Sequence, residues 1–247
     1  MSDTAATNGP TQLLRGTIRN YRKSRQNQDF MFTPGDRARM GATAIGAALV
    51  GLGGIAVGLA SASLDTSETA DLLEFDLDGK SIRAWVWQSV FQEGDEVEVV
   101  AEPMGDVWQG YGIRRPADRI VALHPHCSRG RLAHYRVSTK WWLKISIPII
   151  LFSVLITLLF SYLDSGFSSL LSTLFFFLFV GGTGCLLVSG VIAWRIAKKF
   201  MGFVRLAEGI FTAFGWKDVK NIDLPASTKK TKQPGDAGVL GVLYFRH

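Results

Sequence analysis

The chain has 247 residues, of which 27 are lysine or arginine and 21 are aspartate or glutamate, giving a formal net charge of +6. Nine of its 28 aromatic residues lie between Ile145 and Trp194, and the aromatic residues are not interleaved with a basic patch, so we expect no nucleic-acid partner. The positive charge instead indicates membrane topology and attraction to anionic lipid.

The N-terminal region is polar and basic. Residues 1–10 are typical of a disordered terminus. Residues 11–40 are predicted to hold an N-terminal strand and a basic segment, with a strand pattern at Leu13–Tyr21 followed by the basic run Arg22–Arg25. The first apolar run begins only after Met40, so no cleavable signal peptide is indicated.

A run rich in glycine and alanine, Gly41–Leu64, carries no charge and is long enough to span a bilayer. Its Gly54–Gly58 spacing is typical of closely packed membrane helices. Gly51–Ala56 also fits a loosely read dinucleotide-binding fingerprint. That chemistry needs a preceding β-branched strand and an acidic ribose partner within a βαβ unit, and this context is lacking. We therefore interpret the run as a membrane segment.

The sequence leaves the topology of this segment open. Arg37 and Arg39 precede it, which favours a cytoplasmic N-terminus. A single crossing would then place residues 65–135 outside, whereas the basic residues ahead of the next apolar run favour a cytoplasmic loop. In one alternative, the segment enters the bilayer and returns to the same side, or packs against the other helices without crossing. In the second, residues 65–135 lie outside although basic residues follow them, since the positive-inside rule weakens for long loops. In the third, the N-terminus lies outside. We favour a cytoplasmic loop.

A small all-β domain is predicted over residues 72–125. Leu73, Phe75 and Leu77 alternate with acidic residues, which is the period of a half-buried strand, and Asp78-Gly79 is a strong hairpin signal. Further short strands are predicted at Ile82–Val86, Glu96–Ala101, Val107–Ile113 and Arg119–Leu123. This spacing is typical of a compact antiparallel sheet or a small closed barrel, which the N-terminal strand can join if both lie on the same side of the membrane.

Two uncharged runs separated by the polar break Asp164–Gly166 predict a transmembrane helical hairpin. We place its helices at residues 141–163 and 168–194. Both outer ends are basic, which puts them in the cytoplasm and the break outside. Trp141-Trp142 and Trp194 lie at the edges, where indole rings prefer the headgroup layer. The predicted fold class is therefore membrane α with a small all-β domain, and the lipid bilayer is a predicted partner.

Residues 195–216 have the amphipathic pattern of a helix, with apolar side chains on one face. Such a helix either lies in the bilayer interface or continues the membrane helix and packs on the soluble domain, and both remain open. Residues 217–247 are predicted to form a loop and a terminal strand at Val239–Phe245.

His124, His126 and Cys127 form the sharpest cluster of potential ligands, because imidazole and thiolate bind zinc or copper. No C-x-x-C or H-E-x-x-H spacing accompanies them, and Pro125 restrains the local geometry. We therefore predict no metal site and no cofactor, and keep these three residues as weak candidates. Cys185 lies in a predicted membrane helix, so a disulfide with Cys127 is not expected.

No catalytic motif is visible, and we predict that the protein is not an enzyme. The chain has neither a G-x-S-x-G elbow nor a G-x-x-x-x-G-K-[ST] phosphate loop. Trp85, Trp87, Trp108 and Tyr111 are the candidate partner contacts, because exposed aromatic residues favour interfaces. Packing within the domain or on the membrane surface is the alternative role for these side chains.

Six segments resemble a known family. They are Leu14–Thr17, Gly94–Pro103, His124–Arg131, Trp141-Trp142, Asn221–Pro225 and Tyr244–Arg246. Through these segments, and over most of its length, the chain resembles multi-pass bacterial inner-membrane proteins that are labelled type VI secretion system effectors. The resemblance implies residence near genes for toxins, immunity proteins and accessory adaptors, and it supplies no catalytic residue.

From this resemblance we expect a membrane-anchored immunity or accessory protein that binds an effector, or another protein of the same locus, through its β domain. The alternative is a secreted effector that inserts its Gly-rich segment and hairpin into a target membrane and permeabilises it. A membrane-bound hydrolase that uses His124, His126 and Cys127 is the third hypothesis.

Overall fold

The computed structural model describes residues 11–28, 30, 68–165 and 170–247. The chain divides into two compact units, which are Met1–Pro125 with Pro225–His247, and His126–Leu224. The first unit contains a closed β-barrel, and the second contains two long apolar helices. The predicted membrane segment Gly41–Leu64 lies outside the described residues.

Seven strands form the sheet of the first unit within the described ranges. They are β1 (Gln12–Gln28), β2 (Glu68–Leu77), β3 (Lys80–Val86), β4 (Glu96–Met104), β5 (Val107–Arg115), β6 (Ile120–Leu123) and β7 (Phe245–Arg246). The first half of β1 pairs with β4 and its second half pairs with β2. A parallel pairing of β3 with β5 closes five strands into a barrel in the order 1-2-3-5-4-1. This is the Greek-key order of an OB-type barrel, and it describes the fold without assigning a function.

Local sequence explains where the strands turn and bend. Asp78 and Gly79 have φ values of 49° and 78°, the positive values of the type I′ turn that an Asp-Gly pair predicts. Within β1, Asn20 has φ 54° at a bulge. The Glu93 carboxylate accepts the backbone N–H groups of Asn20 and Tyr21 at 3.0 and 2.7 Å. The two donors that the bulge removes from the ladder are thereby satisfied.

The barrel core is filled by the inward-facing apolar positions of the strands. Fully buried members are Ile18, Leu73, Leu77, Ile82, Val99 and Ile113. Gly110 of β5 is paired with Ala84 of β3, and a Cβ added at Gly110 would lie 3.0 Å from the Ala84 Cβ. The parallel closure of the barrel therefore depends on a residue without a side chain at this position.

The β region is larger than the predicted range of 72–125. β1 joins the barrel, so the pairing that the sequence left open is present. The strand continues to Gln28, and the basic run Arg22–Arg25 is part of it rather than a separate segment.

Helices make up most of the second unit. They are α1 (Arg131–Ser165), α2 (Leu170–Phe175), a π-helical segment (Phe176–Gly182), α3 (Thr183–Lys199), α4 (Met201–Ala213) and a 3₁₀ turn (Val219–Asn221). The spans Arg131–Asp164 and Leu171–Lys199 have 34 and 29 residues, and both are long and apolar enough to cross a membrane, by length and composition. We call the stretch from α1 to α3 the helical hairpin.

Small and polar side chains form the contact between α1 and α3. Trp142 Nε1 donates to Ser189 Oγ at 3.0 Å, and Ser189 Oγ lies 3.3 Å from the Oγ of buried Ser146. A Cβ added at Gly190 would lie 3.1 Å from the Cζ2 atom of Trp142. Gly190 therefore makes room for the indole ring between the two helices.

The predicted amphipathic helix at 195–216 is divided in the structure. Its first turn belongs to α3, and after Phe200 the chain continues as α4. α4 buries the apolar residues Val204, Ala207, Ile210 and Phe211. The amphipathic pattern in the sequence thus corresponds to a helix with one packed face.

Residues Pro225–His247 belong to the barrel unit. Helix α5 (Leu224–Thr231) precedes several turns and β7, which pairs with β6. The Arg246 guanidinium donates two hydrogen bonds to the Asp236 carboxylate at 2.8 and 2.9 Å. The terminal strand predicted at Val239–Phe245 begins only at Phe245, because Gly241 turns the chain with φ 90°.

Candidate functional site

Three of the four predicted contact residues meet in one aromatic cluster on the barrel. The Phe30 ring lies edge-on to Trp85 and Trp87, with centroids 5.6 and 6.3 Å apart. Phe30 also contacts His124 at 5.4 Å, and His124 contacts Tyr111 at 6.3 Å. We call Phe30, Trp85, Trp87, Tyr111 and His124 the aromatic cluster. All five side chains are half-buried, so each packs one part of its surface and presents another.

Trp108, the fourth predicted contact, has a different environment. It packs against the barrel core, and Lys80 Nζ lies 4.5 Å from its ring centroid. The cation over the ring face adds to the packing of this indole. Trp108 is half-buried like the members of the aromatic cluster, but its contacts are with the barrel core and Lys80 rather than with the cluster.

Tyr111 is a hydrogen-bond donor at the edge of the aromatic cluster. Its hydroxyl donates to the Glu102 carboxylate at 3.3 Å. Burial, together with the charge of Glu102, raises the pKa of the Tyr111 hydroxyl. The phenol, which is protonated at neutral pH in any case, therefore keeps its proton to a higher pH than an exposed tyrosine does.

His124, His126 and Cys127 have separate surroundings. His124 belongs to the aromatic cluster, whereas the His126 ring packs against Phe200 and Phe203 at 5.8 and 5.1 Å. Burial raises the pKa of the Cys127 thiol, which favours the thiol over the thiolate that binds metals. In the part of the chain that the structure describes, no group of three His, Cys, Asp or Glu side chains could hold a metal ion.

Several barrel carboxylates are engaged in structural contacts. Buried Asp71 accepts the Ser89 backbone N–H at 2.8 Å. Arg115 pairs with Asp95 at 2.6 Å and with Asp118 at 2.8 Å. Partial burial alone would raise the pKa of Asp118, but the hydrogen bonds and charge of Arg115 lower it overall. These contacts give the three carboxylates a role in holding strands and loops in place.

A basic pocket in the helical unit was not predicted from the sequence. It is a cavity of about 200 Å³ lined by Arg131, Tyr135, Lys198, Met201, Arg205 and Glu208. The cations at the ends of the hairpin are visible in the sequence as a topology signal. These side chains come together because α1, α3 and α4 meet at this point. No short sequence motif predicts that these three helices meet.

Comparisons with protein-family models, with curated proteins and with solved structures find no match to this chain. The resemblance to type VI secretion proteins therefore stays a prediction.

Proposed function

We propose that the helical hairpin crosses a bilayer and anchors the chain in the bacterial inner membrane. At 1.5 Å per residue, helices of 34 and 29 residues extend about 51 and 44 Å, beyond the roughly 30 Å hydrocarbon core. The Ser153 and Thr157 hydroxyls donate to carbonyls one turn earlier at 2.9 Å, which satisfies these polar groups without water. The exposed apolar surface of two long helices is the observation that carries this proposal.

Two strand pairings support a one-sided arrangement of the barrel unit. Gln28 of β1 pairs with Glu68 of β2, although the predicted membrane segment Gly41–Leu64 separates them in sequence. A single crossing would place a bilayer between these partners, so the pairing favours ends that lie on the same side. Likewise, β6 pairs with β7 across the whole hairpin, which fits an even number of crossings between them.

The sign of the charges indicates which side this is. The cations that flank the apolar part of the hairpin are Arg136, Lys140, Lys144, Arg195, Lys198 and Lys199. Positive residues near membrane helices stay in the cytoplasm. We therefore assign the barrel, the N-terminal strand and the C-terminal segment to the cytoplasmic side.

The activity that we propose is non-enzymatic binding. The barrel would bind an effector, or another protein of a type VI secretion locus, as an immunity or accessory component. The half-buried aromatic cluster supports this, because aromatic residues are enriched at the energetic centres of interfaces. Outward carboxylates on β2, such as exposed Glu74, disfavour a nucleic-acid ligand on that strand.

The topology is tested with reporter fusions to the full chain, one inserted at Ser67 and one at the C-terminus. We expect both reporters to show cytoplasmic activity. Periplasmic activity of the Ser67 fusion would contradict the one-sided arrangement and favour a barrel that meets incoming toxins in the periplasm.

The binding function is tested by placing a photo-crosslinking residue at Trp85, and at Trp108 as the matched control, in cells that carry a type VI secretion locus. We expect a protein of that locus to crosslink at position 85 and not at 108, and we expect the chain to protect its own cell from that effector. If expression of the chain alone depolarises the cell, the alternative of a permeabilising effector replaces this proposal.

A further inference from the structure

The basic pocket is built by three helices at the cytoplasmic end of the proposed membrane anchor. α1 contributes Arg131 and Tyr135, α3 contributes Lys198, and α4 contributes Arg205 and Glu208. The His134 ring nitrogen Nε2 lies 3.0 Å from the Ala197 carbonyl oxygen, which ties α1 to α3 at this level. The pocket is thus lined by exposed and half-buried side chains on helices that contact each other.

The pocket carries a net positive charge. Its carboxylate, Glu208, accepts the Arg131 backbone N–H at 2.8 Å and lies 3.8 Å from Arg131 Nε, so it is already committed to Arg131. Lys198 Nζ lies 4.7 Å from the Trp194 ring centroid. Among the residues that the structure describes, no carboxylate lies within 4.0 Å of the exposed Arg205 guanidinium. Glu208 therefore offsets one of the three positive charges, Arg131, Lys198 and Arg205, which leaves the lining with a net charge of +2.

The position of the pocket along the hairpin matches the headgroup layer. Lys198 follows Trp194 by one helical turn, about 6 Å along the axis. Trp194 is the aromatic residue at the end of the second apolar run, where indole rings favour the membrane interface. The polar layer on each side of the hydrocarbon core is about 5–7 Å thick. With Trp194 taken as the reference for the membrane interface, a group bound at Lys198 would lie at the depth of a lipid phosphate.

We propose that the basic pocket binds the phosphate group of an anionic phospholipid of the cytoplasmic leaflet. Arg131, Lys198 and Arg205 supply the positive charge, and arginine suits phosphate because its guanidinium can donate two parallel hydrogen bonds. The cavity of about 200 Å³ is smaller than the roughly 300–1,000 Å³ of sites for drug-sized ligands, which fits a headgroup rather than a whole molecule. This inference rests on the proposed membrane anchoring of the hairpin.

The test uses the full chain in nanodiscs made of phosphatidylcholine with an equal amount of phosphatidylglycerol. The protein is released in mild detergent, and native mass spectrometry counts the retained lipids. We expect enrichment of phosphatidylglycerol over phosphatidylcholine. Lys198→Gln and Arg205→Gln should each lower this enrichment roughly fivefold, because a cation near the membrane surface contributes about 1 kcal/mol.

Two matched variants separate the pocket from general surface charge. Lys140→Gln removes an exposed cation of α1 that does not line the pocket, and it should change the enrichment less than about twofold. Glu208→Gln keeps an acceptor for the Arg131 N–H but removes the competing negative charge, so it should raise the enrichment. Equal losses for Lys140→Gln, Lys198→Gln and Arg205→Gln would overturn the proposal, because the whole basic surface would then be responsible.

Further outcomes distinguish binding of a lipid from binding of free phosphate. They also distinguish failure of the pocket proposal from failure of the anchoring proposal. If excess inorganic phosphate removes the bound lipid at concentrations where it also binds the protein in detergent, the pocket is a site for free phosphate and the lipid proposal is wrong. If the protein enters pure phosphatidylcholine nanodiscs but never enriches phosphatidylglycerol, the pocket proposal fails and the anchor stands. If it enters no nanodisc, the anchoring proposal fails and the pocket proposal falls with it.

Discussion

The barrel and the helical hairpin use the same apolar residue types in opposite ways. In the barrel, Ile18 and Ile82 are 0% exposed, whereas in the hairpin Leu155 and Phe160 are 64% and 66% exposed. Burial of apolar surface stabilises a fold in water by about 25 cal/mol per Å². The barrel therefore contains the interactions that stabilise it in water, while the outer surface of the hairpin is apolar and exposed, as the proposed membrane anchor requires. The two regions differ in how far neighbouring side chains bury their apolar residues, not in which apolar residue types they contain.

The largest effect is expected from truncating a barrel core residue. Phe75→Ala removes a buried ring and should cost about 3–5 kcal/mol of unfolding free energy, because a cavity remains. The matched variant Leu155→Ala removes an exposed hairpin side chain and should cost less than about 1 kcal/mol. Denaturant unfolding of the full chain in detergent measures both. Equal losses would contradict the different solvent that we assign to the two regions.

Adding a charge to the surface of the hairpin tests whether that surface contacts lipid. Leu155→Arg places a cation near the middle of the first helix and should oppose insertion by about 2.5–3.5 kcal/mol. Leu132→Arg adds the same charge near the start of α1, outside the apolar run, and should leave insertion unchanged. The membrane-resistant fraction after alkaline extraction is the readout. The anchor proposal is wrong if Leu155→Arg behaves like Leu132→Arg.

The contact between α1 and α3 should be sensitive to one methyl group. Gly190→Ala brings a Cβ to 3.1 Å from Trp142, so the indole must shift, and we expect a loss of about 1–2 kcal/mol. Gly184→Ala meets no atom within 4 Å in the described structure and should be neutral or stabilising by up to about 1 kcal/mol. Thermal unfolding in detergent compares them. A destabilised Gly184→Ala would mean that this face is covered.

The smallest effect on stability is expected from low pH, through the Asp236–Arg246 ion pair near the C-terminus. Hydrogen bonds from Arg246 lower the pKa of Asp236 from 3.8 to about 2. Since the folded-state pKa is the lower one, this pair stabilises the fold above about pH 4, and its contribution is lost as pH falls to about 2. Asp236→Asn should flatten this part of the acid unfolding curve, followed by tryptophan fluorescence. An unchanged curve would show that solvent screens the pair completely.

Local signals in the sequence predicted the parts of the fold that depend on near neighbours. The Asp78-Gly79 pair predicted the hairpin turn. The alternation of apolar and polar residues predicted the barrel strands, and the two long uncharged runs predicted the two long helices. The small β domain is confirmed, in the barrel form of the two that the sequence left open, and so are two long apolar helices. These features are set by backbone geometry and by burial over a few residues.

Features set by distant contacts were missed. The strand character of Arg22–Arg25 comes from pairing with β2, since a basic run has no alternation of its own. The parallel closure of the barrel depends on Gly110 lying against Ala84. At Val239–Phe245 the apolar pattern suggests a strand, but the positive φ of Gly241 produces turns. The basic pocket requires three helices to converge, which no single spacing reveals.

The pairing of β7 with β6 has a consequence for biosynthesis. Val121 and Phe245 are partners more than a hundred positions apart. At 5–20 residues per second, a ribosome completes the second partner on the order of ten seconds after the first. All five strands of the barrel are synthesised before α1. The edge of β6 stays unpaired until β7 has been synthesised, after the hairpin. If only one of the two proposed membrane helices were inserted, β6 and β7 would lie on opposite sides of the bilayer and this edge would stay unpaired, and cellular proteases could recognise the failed insertion by it.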